Sequence, residues 1–191
     1  VNDNTAPVVT FTDPLLQGVP NGGTIYVQCE GQDPEWELPS FSAASVMATD
    51  NCNGNVTIAF LETLHDEGNC AVDGYINIYR QRWIATDACG NSTTVIVYVA
   101  LVDEVPPVIH GVPADIQVNC DEIPAPPDDI YATDECLCAC VILFSESVPA
   151  PGCRDGQVIT RSWTATDDCG NVTVEKQLIT LIDDKGPDIR I

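Results

Sequence analysis

The chain carries the stretch Trp83-Ile-Ala-Thr-Asp87-Ala-Cys89-Gly-Asn91 twice, and the second copy, 80 residues later, reads Trp163-Thr-Ala-Thr-Asp167-Asp-Cys169-Gly-Asn171. The same offset continues past both copies to Pro107 and Pro187. Self-similarity at a fixed period indicates that one structural unit has been copied along the chain. We therefore expect tandem modules rather than one large domain.

The repeat extends upstream with a different offset. Val27-Gln-Cys29 corresponds to Val118-Asn-Cys120, and Ala48-Thr49-Asp50-Asn-Cys52 corresponds to Ala132-Thr133-Asp134-Glu-Cys136. Cys70 corresponds to Cys153. Each module thus has four matched cysteines, and Cys138 and Cys140 are extra in the second.

A third signature marks the joints between modules. It has the form D-x-x-x-P followed by a strand start, and it begins at Asp3, Asp103 and Asp183. These joints predict a first repeat over residues 1–102, a second over 103–182 and the start of a third over 183–191. The chain begins at Val1 without an initiator Met, so we expect a piece of a longer, processed protein with more repeats.

Strand signals dominate both repeats. Residues 75–85 alternate in a period of two, while residues 93–102 and 172–182 are rich in β-branched residues. Short strands separated by Gly, Pro, Asn and Asp are typical of a β-sandwich. We predict an all-β chain of tandem immunoglobulin-like sandwiches with intramodule disulfides, in which Trp83 and Trp163 are core residues.

Composition restricts the possible functions. The chain has 7 basic and 29 acidic residues, for a net charge of −22. Such a polyanion repels nucleic acid and anionic membrane surfaces, and the sequence has no segment for direct membrane insertion. Ten cysteines, mostly far apart, favour disulfides over metal clusters. We therefore expect a secreted or cell-surface protein.

The second repeat resembles a known module along nearly its whole length. Its motifs are Pro113-Ala-Asp-Ile-Gln-Val-Asn-Cys120 and Ile159-Thr-Arg161-Ser-Trp163-Thr-Ala-Thr-Asp167-Asp-Cys169-Gly-Asn171. They resemble the hyalin-repeat-like modules of secreted bacterial surface proteins, which are abundant in adhesins and gliding-motility proteins of Bacteroidota. The resemblance implies an immunoglobulin-like spacer that builds extracellular stalks or filaments. The first repeat is more divergent, with Gln81 where the pattern has Arg.

The first joint resembles a second family. Val1-Asn-Asp3-Asn4-Thr-Ala-Pro7 is similar to the D-x-N-D-N-x-P linker of cadherins, with one inserted residue. That resemblance implies calcium between repeats, with Asp3 and Asn4 among its ligands.

Calcium binding is the most specific chemical hypothesis that the residues support, because calcium takes six to eight oxygen ligands from carboxylates and carbonyls. An antiparallel module of about seven strands would bring the loop between its last two strands to the end where the chain enters. The second module's loops would then meet Asp103 and Glu104, and the first module's would meet Asp3. The candidate ligands are Asp3, Asn4, Asp50, Asp87, Asp103, Glu104, Asp134, Asp167, Asp168 and Asp183. Alternatively, these aspartates cap turns.

For the matched cysteines we predict the disulfides Cys52–Cys89, Cys136–Cys169, Cys29–Cys70 and Cys120–Cys153. Cys138 and Cys140 have three interpretations: further disulfide bonding within the second repeat, bonding to a neighbouring subunit, or free thiols or a metal site. Three sequons begin at Asn55, Asn91 and Asn171 and are glycosylation sites if the protein is eukaryotic.

The favoured function is a structural repeat of a long filament or adhesin stalk, whose partners are neighbouring repeats or identical subunits. The alternative is a binding module for a surface glycan or a receptor, with Trp36 as the candidate exposed aromatic. An enzyme is not expected, because neither His65 nor His110 lies in a catalytic motif. Apart from calcium, no cofactor is expected.

Overall fold

The structure is a computed structural model that describes residues 3–29, 39–51, 54–136, 139–147, 152 and 154–183. It separates into two compact units, unit 1 (Val1–Glu104) and unit 2 (Val105–Ile191). Strands dominate both units, and the predicted all-β, immunoglobulin-like sandwich class is confirmed. In the described ranges there is no helix of the length and apolarity needed to cross a membrane. The predicted repeat boundary at residues 102/103 stays a prediction, and the start of the third repeat lies almost wholly outside the described residues.

Unit 1 has six strands in its described residues. They are β1 (Val8–Phe11), β2 (Gly23–Gln28), β3 (Val46–Thr49), β4 (Thr57–Glu67), β5 (Asn77–Thr86) and β6 (Ser92–Val102). Short 3-10 helices span Pro14–Leu16 and Ala43–Ser45, and a four-residue helix, α1, spans Cys70–Asp73.

These strands form a four-stranded sheet and a two-stranded sheet. The larger sheet has the order β2-β6-β5-β4, and the smaller pairs β1 with β3. The β4–β5, β5–β6 and β1–β3 pairs are antiparallel, whereas β2 runs parallel to β6. The alternation of β5 turns Gln81, Trp83 and Ala85 into the core, so the residues between them face outward.

Trp83 is the centre of the unit 1 core. Its side chain is fully buried, and its ring centroid lies 5.8, 6.1 and 5.2 Å from those of Phe11, Phe41 and Phe60. The indole Nε1 donates a hydrogen bond to the backbone oxygen of Ser42 at 2.7 Å. A buried indole N–H without a hydrogen-bond acceptor would destabilise the fold. This bond therefore satisfies the N–H group and fixes the loop before β3 to the core.

Unit 2 repeats this plan. Its described strands are β7 (Val108–His110), β8 (Ile116–Asn119), β9 (Tyr131–Thr133), β10 (Val141–Glu146), β11 (Val158–Thr166) and β12 (Val172–Ile182). The larger sheet has the order β8-β12-β11-β10, and the smaller pairs β7 with β9. Again the pair that involves the second strand, β8–β12, is parallel.

The core of unit 2 is smaller in its described residues. Trp163 is buried and contacts Phe144 at a centroid distance of 5.3 Å, while Ile159, Ile179 and Leu181 form an aliphatic cluster. The prediction that both tryptophans are core residues is confirmed.

Two features differ from the sequence interpretation. The sequence pattern places the Ala-Thr-Asp segments in a long loop, but their Ala and Thr residues form the ends of β3 and β9 and pair with the opening strands. The sheets are also not wholly antiparallel, because β2 and β8 pair in parallel with the final strands. These strands have only six and four residues. Their hydrophobic pattern is therefore too short to indicate whether they pair parallel or antiparallel.

Candidate metal centre

The turn that follows β5 is built around the carboxylate of Asp87. Its Oδ1 accepts hydrogen bonds from the backbone N–H groups of Cys89 at 2.8 Å and Asn91 at 2.9 Å. Its Oδ2 accepts from the Asn91 side-chain amide at 2.8 Å. Gly90 closes the turn with φ +92°, a conformation that side chains other than glycine rarely adopt. The Asp-x-Cys-Gly-Asn spacing thus specifies one turn.

The same turn follows β11. Asp167 Oδ1 accepts from the backbone N–H groups of Cys169 and Asn171, and Asp167 Oδ2 accepts from the Asn171 amide, all at 2.8 Å. Turn capping, the alternative role considered for these aspartates, is therefore present at Asp87 and Asp167. A capping carboxylate retains unused lone pairs, so this role and metal binding are compatible.

Three of the candidate ligands converge in unit 1. The carboxylate oxygens that Asp3, Asp50 and Asp87 offer lie within 4.8 Å of one another. Asp3 precedes β1, Asp50 follows β3 and Asp87 follows β5, so the ends of two paired strands and of the Trp strand supply the group. The Asn91 amide also donates to the backbone oxygen of Asp3 at 3.1 Å, which holds the N-terminal segment against the turn.

Hydrogen bonding favours the ionised form of Asp87. The Asn91 side-chain amide is the main cause that holds the pKa of Asp87 below its usual range, and the backbone N–H groups of Asn91, Cys89 and Gly90 add to it. Burial acts in the opposite direction on this pKa and is outweighed. The carboxylate is therefore available as an anionic ligand throughout the physiological pH range.

The donor set fits a hard divalent cation. Three carboxylates offer oxygen atoms, which calcium prefers, and Asp3 and Asp50 are half-buried rather than fully exposed. The only Lys or Arg residues in the sequence of unit 1 are Arg80 and Arg82, which lie inside β5, away from the Asp87 end. Clustered carboxylates repel one another, and a divalent cation removes that repulsion.

The remaining predicted ligands do not belong to this group of three carboxylates. Asn4 is exposed beside Asp3. Asp103 accepts a hydrogen bond from Gln28 Nε2 at 3.3 Å, and the backbone N–H of Glu104 donates to Gln28 Oε1 at 2.9 Å, so Gln28 holds the end of unit 1. No pattern in the sequence had singled out Gln28.

In unit 2, Asp134 follows β9 and caps its own turn by accepting from Cys136 N–H at 2.8 Å. Asp168 Oδ2 accepts from the backbone N–H of Ala139 at 3.1 Å, and Asp183 follows β12. The predicted approach of Asp103 and Glu104 to the acidic loops of unit 2 stays a prediction.

One predicted disulfide is wrong. Cys89 is an exposed free thiol, so the Cys52–Cys89 bond is absent. That pairing was predicted because antiparallel alternation was expected to bring both cysteines to the same pole, yet a disulfide needs Cα atoms within about 4.4–6.8 Å, which a shared pole does not guarantee.

The other described cysteines are disulfide-bonded, namely Cys29, Cys70, Cys120, Cys136, Cys140 and Cys169. The bonded state of Cys140 excludes the free-thiol interpretation for that residue. The pairings Cys29–Cys70, Cys136–Cys169 and Cys120–Cys153 stay predictions. Cys52, Cys138 and Cys153 lie outside the described residues.

Two sequon asparagines are part of the turns. Asn91 uses its amide for Asp87 and Asp3, and Asn171 uses its amide for Asp167. A glycan replaces one amide hydrogen, so modification of Asn91 would remove one of its two bonds. Asn55 is exposed before β4. Glycosylation at the three sites stays a prediction, and Trp36 lies outside the described residues.

Comparison with known proteins gives structural neighbours only. No family profile matches the sequence, and no curated protein matches it. Among solved structures, Drosophila N-cadherin EC1-4 has 13% identity and a TM-score of 0.35, covering 94% of this chain and 50% of its own. The protocadherin GammaB4 extracellular domain has 15% identity and a TM-score of 0.34, covering 94% and 35%. Human mucin-like protocadherin EC1-2 has 11% identity and a TM-score of 0.30, covering 92% and 98%. The chain thus spans half or less of the first two neighbours.

Proposed function

We propose that this chain is a structural part of a long extracellular filament or cell-surface adhesin stalk. The observation that carries the proposal is that one plan of six described strands occurs twice, with the same sheet order and the same parallel pair. Whole-module repetition builds length, whereas a single binding site needs only one module.

The chemistry of the cysteines supports an extracellular place. Six described cysteines are disulfide-bonded, a state that persists in oxidising compartments and is rare in the cytosol. Disulfides also restrict the unfolded chain, and each stabilises a module by roughly 2–4 kcal/mol. This suits a stalk that must withstand shear without chaperones.

Electron microscopy of the native parent protein tests the stalk directly. We expect an extended particle with beads of equal size at regular intervals, one bead for each repeat. A compact particle without a periodic substructure would exclude the stalk.

The second part of the proposal is that calcium binds to Asp3, Asp50 and Asp87. These three residues offer carboxylate oxygens within 4.8 Å of one another, and they belong to the N-terminal segment and to two strand ends. A cation held there would fasten the N-terminal segment to the body of unit 1. Calcium would then stiffen the place where the preceding part of a stalk continues into this module.

Thermal unfolding with calcium and with chelator tests this part. We expect calcium to raise the melting midpoint of the native chain, because a ligand bound only to the folded state stabilises it. Asp50→Asn should reduce this increase by more than half, since it removes one ligand and leaves the Asp87 turn intact. Asp155→Asn, an exposed turn residue in unit 2, is the charge-matched control and should keep the full increase. Equal midpoints for the native chain in calcium and chelator would exclude the site.

A further inference from the structure

The outward face of the larger sheet of unit 1 carries an unusual group of residues. Arg80 and Arg82 lie on the side of β5 opposite Gln81 and Trp83, and both are half-buried. They are the only Lys or Arg residues in a unit whose sequence contains 14 Asp and Glu residues. Both cations of unit 1 are therefore gathered on one face.

The neighbours of these arginines are mostly aromatic and aliphatic. Arg80 pairs with Thr63 and Tyr98 in the strand register, and Arg82 pairs with Leu61 and Ile96. The His65 ring lies 5.0 Å from that of Tyr98, and Tyr26 on β2 is 70% exposed. Tyr and Arg are the residue types most enriched in the energetic centres of protein interfaces.

The described residues of unit 1 supply no acceptor for these guanidinium groups. Within the described residues, neither Arg80 nor Arg82 makes an ion pair or a side-chain hydrogen bond, and the Nε atom of each is buried without a partner. Asp66, the carboxylate in the neighbouring register position, lies opposite Ile78 and accepts from the Tyr75 hydroxyl at 3.3 Å. Half-buried arginines without a carboxylate are unfavourable in the free protein and leave a position for an acidic partner.

Unit 2 lacks this face. With the 80-residue offset, the positions of Arg80, Arg82 and Tyr98 are occupied by Thr160, Ser162 and Leu178. The face is therefore present once in this chain.

Unit 2 instead presents a segment of complementary chemistry. Residues 121–129 read Asp-Glu-Ile-Pro-Ala-Pro-Pro-Asp-Asp, contain no strand or helix and are exposed at every position except Pro127. Arg161 Nη2 donates to the backbone oxygen of Pro124 at 2.6 Å and so anchors the segment at its middle. Asp128 and Asp129 make no ion pair or side-chain hydrogen bond with any described residue. Prolines keep such a segment extended, and extended proline-rich segments bind to aromatic surfaces at a low entropic cost.

We infer that the outward face of unit 1, centred on Arg80, Arg82 and Tyr98, binds the acidic proline-rich segment 121–129 of a second copy of this chain. Carboxylates of the segment meet the two guanidinium groups, and its prolines pack on Tyr26 and Tyr98. Face and segment are different surfaces of one chain, so the contact is heterologous. A heterologous contact that does not close into a ring propagates into an open filament. This inference rests on the proposed stalk and names the contact by which its parts join.

Sedimentation of the full chain in calcium tests the contact. At 50 mM salt the native chain should form larger species as its concentration rises, and 500 mM salt should reverse this because the contact is partly electrostatic. Arg80→Thr with Arg82→Ser places the residues of unit 2 on the face, and Asp128→Asn with Asp129→Asn neutralises the segment. Each pair should weaken association at least tenfold. Arg154→Ser with Lys176→Ser changes the net charge equally in unit 2 and should leave association unchanged.

A charge exchange separates lost contact from lost folding. One variant carries Arg80→Glu and Arg82→Glu, and the other carries Asp128→Lys and Asp129→Lys. Each alone should remain monomeric with a near-native melting midpoint, because its face and its segment carry the same sign of charge. An equimolar mixture should form alternating oligomers, because the acidic face of the first variant meets the basic segment of the second, and the native face of the second meets the native segment of the first. A mixture that remains monomeric would overturn the contact.

Three further results would overturn it. They are a native chain that stays monomeric up to 1 mM at low salt, association unaffected by the Arg80 and Arg82 changes, and a monomeric chain that binds only a sulfated polysaccharide through these arginines. The stalk proposal is judged separately. A beaded parent protein with a monomeric two-unit chain overturns the contact alone, and a self-associating chain from a compact parent overturns the stalk alone.

Discussion

The two units share one backbone plan but differ in the row of side chains next to each tryptophan. In unit 1 this row is Glu62, Gln81 and Val97, and the Gln81 amide donates to the Glu62 carboxylate. In unit 2 the corresponding row is Glu146, Arg161 and Gln177.

The row in unit 2 forms a more extensive polar network. Arg161 Nε donates to Glu146 Oε2 at 2.6 Å, in the one ion pair found among the described residues. Arg161 Nη2 binds the Pro124 carbonyl, and Gln177 Nε2 donates to the backbone oxygen of Ala114 at 2.9 Å. Unit 1 relies more on aromatic packing, with three phenylalanine rings around Trp83. The same sheet is therefore stabilised by different means in the two copies.

Removal of the tryptophans should show the largest effect and the clearest difference. We expect Trp83→Ala to reduce the free energy of unfolding by about 5 kcal/mol and Trp163→Ala to reduce it by about 3 kcal/mol. Both values lie within the range for large core truncations. Trp83 loses three ring contacts and a hydrogen bond, which explains the larger value. Denaturant titration followed by hydrogen exchange, which resolves each unit, measures both. A larger loss in unit 2 would contradict the comparison.

Replacement of the buried arginine should rank next. Arg161→Gln gives unit 2 the residue of unit 1, whose Gln81 amide donates to Glu62. We expect the new amide to donate to Glu146 in the same way, so the change removes the ion pair and leaves the Pro124 carbonyl without its donor. The expected loss is about 2 kcal/mol, within the range for one hydrogen-bonding group left without a partner. Arg154→Gln, on an exposed turn, should change stability by less than about 0.5 kcal/mol. Equal effects of the two changes in denaturant titrations would show that the ion pair contributes nothing.

Lowering the pH should distinguish the contribution of the Asp87 turn to stability from that of core packing. The folded-state pKa of Asp87 is lowered, so its contribution to stability is complete above the unfolded value, near ~3.9, and is lost as the pH falls through the folded value. In chelator, Asp87→Asn should flatten the dependence of unfolding free energy on pH below about 4, whereas Asp155→Asn should not. Titrations at several pH values between about 2 and 5 measure this. Parallel curves for the native chain and Asp87→Asn would refute the role of the turn.

The smallest effect is expected at Cys89, which is a free thiol, whereas its counterpart Cys169 is disulfide-bonded. Cys89→Ser should change stability by less than about 0.5 kcal/mol, because an exposed free thiol contributes little. In the folded, non-reduced protein, a thiol reagent should label Cys89 and leave Cys169, which is disulfide-bonded, unlabelled. Mass spectrometry of peptides decides between these states. An unreactive Cys89 would restore the disulfide predicted from the sequence.

The sequence predicted the features that depend on local pattern. Period-two alternation located β5, β-branched runs located β6 and β12, and the Asp-x-Cys-Gly-Asn spacing located both turns. The convergence of Asp3, Asp50 and Asp87 was also predicted, because strand ends at one pole bring their following residues together.

Features that depend on pairing between distant segments were not predicted. The parallel direction of β2 and β8 is set by hydrogen bonds to the last strand of each unit, which leave no mark in short segments. Cys89 lies in the same Thr-Asp-x-Cys-Gly-Asn motif as Cys169, yet its bonding depends on where a second cysteine lies. The Arg80 and Arg82 face became visible only when the register showed which side chains surround them.

Single-molecule stretching tests most directly the claim that this chain is a mechanical repeat closed by disulfides. We expect two unfolding events, one for each unit. Each should release less chain than the fully extended unit, which is about 360 Å for unit 1 and about 300 Å for unit 2. Reducing agent should lengthen both steps, because it frees the residues enclosed by the disulfides. A single event, a featureless extension or step lengths that reduction leaves unchanged would contradict the account.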